Sequence, residues 1–265
     1  FEDTADIGDG WYHGVAVNDE TFVSSASHAD VALVHDGPMI TTFRVHITLY
    51  VPESFQFENM TRGDRFVDLI IDNMVSLRAG SKRLEIETII HNKARDHRLR
   101  VLFPSGAKSK TYLADTPFDV VERPIALQDK NYLYRELEVE TRPQQSWTAV
   151  YHHDRGLAVV SEGLMESAVR DLPERPTALT LFRGTRRTVM TNGEPGGQLL
   201  QDPLIFRYWI VPLASEPDRV QLCHLGQQLA SGLRDVQLSA KDILLHRSEA
   251  QLPVSASLLQ IDGLV

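Results

Sequence analysis

The chain has 265 residues, of which 42% are hydrophobic and 24% charged, the composition of a folded globular protein rather than a disordered or fibrous one. A formal net charge of −9 sets it against nucleic acid and anionic membrane as partners, and no apolar run approaches the roughly 18 residues that span a bilayer. The single cysteine, Cys223, forbids an intrachain disulfide and makes a reducing, cytoplasmic compartment the simplest expectation.

The chain opens inside a dense acidic motif, Phe1-Glu2-Asp3-Thr4-Ala5-Asp6-Ile7-Gly8-Asp9-Gly10-Trp11-Tyr12. Four carboxylates fall within eight residues, with glycines for sharp turns and two rings after them. Carboxylates beside aromatics suit sugar recognition, where oxygens accept from hydroxyls and rings cover the apolar face. The same acids suit calcium, or a turn whose Asp side chains bond their own backbone. The residues alone leave these three readings open.

Alternation of apolar and polar residues then dominates. It predicts half-buried strands at Thr42–Val51, at Arg83–His91, where Leu84, Ile86, Thr88 and Ile90 share one face, and at Leu133–Val139. Further strands are predicted at Trp147–Tyr151, Ala158–Val160, Ala178–Phe182 and Phe206–Val211. Breaks bearing Gly or Pro at 36–38, 79–81, 104–106 and 172–176 separate them. A long glycine-rich loop covers Arg183 to Pro203, and loops of that length are uncommon unless functional or mobile. The one helical signal is Leu222, Leu225, Leu229 and Leu233, at three- and four-residue spacing. Pro212 to Pro217 marks a boundary, giving a sandwich over 1–217 and a helix with tail strands over 218–265. The expected fold is all-β, a large antiparallel sandwich with a small helix-plus-strand tail.

Complete catalytic or metal sets do not emerge. His152-His153-Asp154 places adjacent side chains on opposite strand faces, which rarely serves one ion. His91 and His97 flank a polar turn, Asn92–Asp96, and are expected to be solvated. Cys223 sits on the apolar side of the helix and reads as a small buried hydrophobe. An epimerase-like site needs a His and a carboxylate in a cleft, and no spacing of His46, His91 or His152 favours one. The start at Phe1 within a motif and the apolar stop at Leu264-Val265 give the expectation of a piece of a longer protein.

Taken together, these stretches resemble the C-terminal half of family 38 glycoside hydrolases, the α-mannosidases and mannosylglycerate hydrolases. Phe1–Asp9 is similar to the acidic segment opening that family's β portion. Leu84–Pro104, Val120–Pro124, Gly156–Leu164 and Leu179–Arg183 resemble later parts in the same order. The resemblance implies a supersandwich related in shape to galactose mutarotase. It also implies a preceding catalytic barrel, in the same parent chain, that carries the zinc ligands and the nucleophile of a retaining mechanism with two carboxyls roughly 5 Å apart. No cofactor, metal or catalytic residue is then expected in this chain, which by itself should be inert. Asp3, Asp6, Asp9 and Tyr12 are expected at the sugar pocket, as are Arg187 and Asn192 on the long loop. The partners implied are the barrel and a mannoside, with a homo-oligomer possible. The other reading is a free-standing carbohydrate-binding sandwich, and a large exposed apolar patch would separate the two.

Overall fold

A computed structural model describes residues 1–10, 13–134, 137–186, 200 and 203–232. In chain order the strands are β1 (Glu2–Ala5), β2 (Phe22–Val23), β3 (Ala29–Asp36), β4 (Ile40–Pro52), β5 (Phe55–Gln56), β6 (Thr61–Arg62), β7 (Phe66–Arg78), β8 (Leu84–His91) and β9 (His97–Phe103). They continue with β10 (Thr111–Asp115), β11 (Val120–Pro124), β12 (Arg142–Pro143), β13 (Trp147–His152), β14 (Arg155–Ser161), β15 (Glu166–Val169), β16 (Thr177–Arg183) and β17 (Leu204–Leu213), and then the helix α1 (Arg219–Ser231).

Two antiparallel sheets carry the fold. One has nine strands in the order β11-β10-β13-β14-β17-β8-β7-β4-β3, the other six in the order β12-β15-β16-β9-β1-β2. A small β5-β6 ribbon sits apart from both. The main core draws on both sheets: Ile47, Leu49, Leu69, Ile71, Ile90, Leu157, Val159 and Tyr208 from the larger, Leu99, Val101, Leu179 and Leu181 from the smaller. Alternation follows from this arrangement, because each strand buries one face between the sheets. Burial pushes the Tyr208 hydroxyl well above its ordinary pKa, and it shares a 2.6 Å hydrogen bond with Thr88.

β14 breaks the alternation for a physical reason. Its Leu157 and Val159 face the sandwich core, while Ala158 and Val160 join Trp147, Trp209 and Leu222 of the helix on the outer face. A strand covered on both sides reads as one apolar run. The helix approaches closely where Gly226 meets Ser146, since a Cβ there would lie 2.2 Å from its Oγ. Asp218 caps the helix by accepting from the Gln221 amide at 3.0 Å, so it begins at Arg219, three residues before the predicted start. Residues 233–265, and with them the expected tail strands, lie outside the described residues.

None of the described residues in the expected strand Leu133–Val139 lies in a strand. Asn131 to Leu133 make a single 3-10 turn after Lys130, which has a φ of 59°. The Asn131 side chain binds both backbone groups of Glu138, at 2.7 and 2.8 Å. A side chain thus takes the hydrogen bonds that a neighbouring strand would have satisfied.

Candidate functional site

The acidic motif folds into a corner of the six-stranded sheet, where it meets the cations of four distant segments. β1 pairs with β9 in the register Glu2↔Arg100, Asp3↔Leu99, Thr4↔Arg98 and Ala5↔His97. Glu2 and Thr4 therefore share the face of Arg98 and Arg100, and Asp3 turns the other way. Glu2 accepts from Arg100 at 2.5 and 3.1 Å and from Arg170 at 2.6 Å. Asp3 accepts from Arg62 Nη2 at 2.5 Å and from His97 Nδ1 at 2.5 Å, and the side chains of Asp3 and His97 are wholly buried.

Asp6 organises the loop that follows. One carboxylate oxygen accepts from the backbone N–H of Gly8 at 3.0 Å and of Gly14 at 3.3 Å, and the other accepts from Arg183 Nε at 2.6 Å. Gly14 lies so close that a Cβ there would be 2.4 Å from the Gly8 nitrogen. The long loop leaves from the same place. Arg183 Nη2 donates to the Asp9 carbonyl at 2.8 Å, and the Thr185 hydroxyl donates to the Gly8 carbonyl at 2.6 Å. Asp96 in the β8–β9 turn receives a two-pronged contact from Arg186, 2.5 and 2.9 Å, while that guanidinium lies 4.1 Å from the Phe57 ring centroid. Backbone bonds from Asp6 to Asp96, Asp96 to Gly184 and Gly184 to His97 tie the three segments together.

Asp3 and Asp6 thus have no exposed surface and are engaged by the chain's own His97, Arg62 and Arg183. Where an approach to a sugar was expected, both carboxylates are enclosed by these partners, because burying a carboxylate requires such pairing. Asp9 is half-buried at the loop's turn. Tyr12, Arg187 and Asn192 lie outside the described residues, but the described flanks of both loops, 6–10 and 183–186, are in direct contact. His97 is another correction, being fully buried where a solvated turn histidine was expected. The sequence reading missed Arg62, Asp96, His97, Arg98 and Arg100 as members of this cluster. The available signal was His97-Arg98-Leu99-Arg100, alternate cations on one face that need an acidic strand beside them.

His13 lies next to this corner, with Nε2 3.1 Å from the Ala5 carbonyl. Burial, reinforced by Arg98, lowers its pKa from 6.5 to about 3. Folded His13 therefore stays neutral where the unfolded chain takes up a proton, so its contribution to stability is complete above about pH 6.5 and is lost as pH falls toward 3. Thermal melts of the wild type should drop through that window, and His13→Gln should flatten the drop. An unchanged pH profile in the variant would contradict this assignment.

Elsewhere, His152 ends β13, and His153, at a φ of 58°, sits in the turn with the two rings 4.0 Å apart. His46 and Asp72 do pair, at 2.9 Å, but on the outer side of the nine-stranded sheet beside exposed Arg44 rather than in a cleft. Cys223 is half-buried against the helix-side core, and burial raises its thiol. Among the described residues, no three His, Cys, Asp or Glu side chains gather as a metal site. The corner does not fit zinc, because its carboxylates are turned to guanidinium groups. No helix among the described residues is long and apolar enough to cross a membrane.

The architecture is that of a two-sheet antiparallel β-domain whose first strand is anchored by buried ion pairs and whose two loops leave one corner. Residues 1–187 match the family described as Glycosyl hydrolases family 38 C-terminal domain, and the chain belongs to that family. It is similar to a putative mannosylglycerate hydrolase of Halalkalibacterium halodurans, 23% identical over an alignment of 197 positions that covers 69% of this chain and 21% of that protein. Among solved structures, a family 38 glycosyl hydrolase from Enterococcus faecalis has a TM-score of 0.71 at 25% identity, over 87% of this chain and 28% of that one. An α-mannosidase from Enterococcus faecalis V583 has a TM-score of 0.73 at 24% identity, over 86% and 27%. The chain thus spans between about a fifth and just over a quarter of the length of these relatives.

Proposed function

We propose that this chain serves as the C-terminal domain of a cytoplasmic retaining α-mannosidase-type glycoside hydrolase, packing on a catalytic barrel and helping to wall its sugar pocket. The observation that carries the reading is the junction of the two loops. Asp6 and Arg183 brace the acidic loop against the start of the long loop, the two loops to which Tyr12, Arg187 and Asn192 belong in sequence. Asp9 at the turn would meet the substrate with them, while Asp3 and Asp6 hold the geometry beneath. The nucleophile and the zinc belong, on this reading, to the barrel.

A second feature favours a docked domain over a free-standing module. Along β3, β4 and β7, Val31, Leu33, Val34, Phe43 and Leu77 are between 43% and 63% exposed. The register places Leu33 opposite Phe43 and Phe43 opposite Val75, on the face that forms the core further along the sheet. Apolar surface continuous with a core calls for a covering partner. The test is hydrolysis of an aryl α-mannoside by this chain and by a longer protein in which a family 38 catalytic domain precedes it. Turnover by the longer protein alone is expected, and turnover by this chain would place an acid and a base within the sandwich and overturn the proposal.

A further inference from the structure

Three arginines on the outer face of the nine-stranded sheet each hold a carboxylate. Arg44 donates to Asp72 at 2.7 Å, Arg78 to both oxygens of Glu85 at 2.9 and 3.0 Å, and Arg207 to Glu87 at 2.8 Å. Arg83 does not share this arrangement. It stands just before β8, where Leu84 pairs with Ile210 of β17, so alternation sets it beside Val211 on the same outer face. The acid nearest to it in sequence, Glu85, is taken by Arg78. Among the described residues neither the Arg83 guanidinium nor the Lys82 ammonium has a hydrogen-bond or ion-pair partner. The Arg83 Nε is buried, but its two Nη atoms keep accessible surface, and Lys82 is exposed.

Both cations line a cleft of about 650 Å³ between the β7–β8 turn, the end of β17 and α1, a volume in the range of small-molecule sites. Val211, Leu213, Leu222 and Leu225 give it an apolar wall, the rim of the helix-side core. Every lining residue and its neighbours in sequence are among the described residues. Two carboxylates and an imidazole complete the charged wall. Asp218 accepts from the Gln221 amide at 3.0 Å, where the helix dipole offsets its charge. Glu216 is exposed and also borders a cleft with Thr111 of β10 and Tyr151 of β13, strands that β14 and β17 separate from β8. Strand spacing therefore sets Glu216 on the order of 10 Å from Arg83. His224 is exposed on α1. Unpaired positive charge thus stands at the β8 side, and the acceptors stand at the start of the helix. A cation would meet Lys82 and Arg83, a hydrocarbon would leave them unused, and a multivalent anion would be opposed by Glu216 and by the chain's net charge of −9. A single carboxylate on an apolar body satisfies every wall.

We propose that this cleft binds a small organic monocarboxylate. The Arg83 Nη groups and the Lys82 ammonium donate to its carboxylate, and the Val211, Leu213, Leu222 and Leu225 side chains cover its apolar body. The cleft lies on the outer face of the nine-stranded sheet, away from the acidic corner, so the inference needs neither the catalytic partner nor the sugar pocket proposed above.

The test is NMR titration of this chain with sodium octanoate, 1-octanol and sodium acetate, following the backbone amides of Arg83, Val211 and Leu225. Octanoate should give saturable shifts at these positions. Octanol, which has the body without the charge, and acetate, which has the charge without the body, should each bind about tenfold more weakly or worse. Arg83→Met should weaken octanoate by about tenfold or more and leave octanol unchanged, the loss of hydrogen bonds to a charged donor. That side chain makes no hydrogen bond within the chain, so the fold survives its replacement. Lys82→Glu changes an exposed side chain and should also weaken octanoate. Octanoate shifts that never saturate, equal affinity for octanoate and octanol, acetate binding as tightly as octanoate, or wild-type affinity in both variants would each overturn the proposal. None of these results depends on hydrolysis by the longer protein, so the two readings can fail separately.

Discussion

Replacing Asp3 with Ala should lower the unfolding free energy by about 3–5 kcal/mol, the cost of stripping one partner from a buried ion pair. Asp3 is wholly buried, and its partners Arg62 and His97 are 2% and 0% exposed at the side chain. Without Asp3 the Arg62 guanidinium is left with Asp19, 4.0 Å away. Water cannot take over the lost bond, so the orphaned charge rather than the missing contact sets the size of the effect. Urea denaturation would read it as a shifted midpoint with little change in slope. Arg207→Ala provides the contrast, because that side chain is 55% exposed beside Glu87 at 2.8 Å, and removing such a pair costs roughly 0–1 kcal/mol. The double change Asp3→Leu with Arg62→Met should recover part of the loss, since it removes the unpaired charge. Equal midpoint shifts for Asp3→Ala and Arg207→Ala would refute the ion-pair account of the corner.

Asp6→Ala should be about as destabilising locally, and it should also loosen the acidic loop. The carboxylate closes that loop through the Gly8 and Gly14 amides and joins it to Arg183. Removing it frees two buried N–H groups and one guanidinium at the same point. Hydrogen exchange should accelerate at Gly8 and Gly14 and leave Leu99 and Leu179, in the sheet core, protected. In the longer protein of the proposed function, kcat/KM for an aryl α-mannoside should fall on the order of 10²-fold, because small misplacements of pocket groups carry costs of that size. If exchange at Gly8 stays slow, Asp6 is not what holds the loop.

Much of the sandwich was legible from alternation. The predicted strands at Thr42–Val51, Arg83–His91, Trp147–Tyr151, Ala158–Val160, Ala178–Phe182 and Phe206–Val211 all fall on β4, β8, β13, β14, β16 and β17, β8 beginning one residue later at Leu84. Alternation is local: each residue reports the face it occupies whichever strand lies beside it. The same rule failed at Leu133–Val139, because Asn131 competes for the backbone there and no ladder forms among the described residues. Resemblance to family 38 rested on the order of several motifs, and the match over residues 1–187 agrees with it.

The corner was visible as a composition but not as an arrangement. Glu2, Asp3, Asp6 and Asp9 stood out in the sequence, and exposed carboxylates awaiting a sugar were a fair reading of them. Their partners are remote: Arg62 is 59 residues from Asp3, Arg170 is 168 from Glu2, and Arg183 is 177 from Asp6. Nothing local distinguishes an acid that will be buried against arginine from one that will face solvent.

By itself, then, the sequence determined the strand pattern, the turns, the amphipathic helix and the family likeness, since all of these follow from short-range periodicity and motif order. Only the tertiary structure decided which acids became buried, which arginines they met, and which end of the sheet keeps its apolar side chains exposed. Those outcomes depend on strand order and register, which bring charges together across most of the chain and set how much water each one keeps.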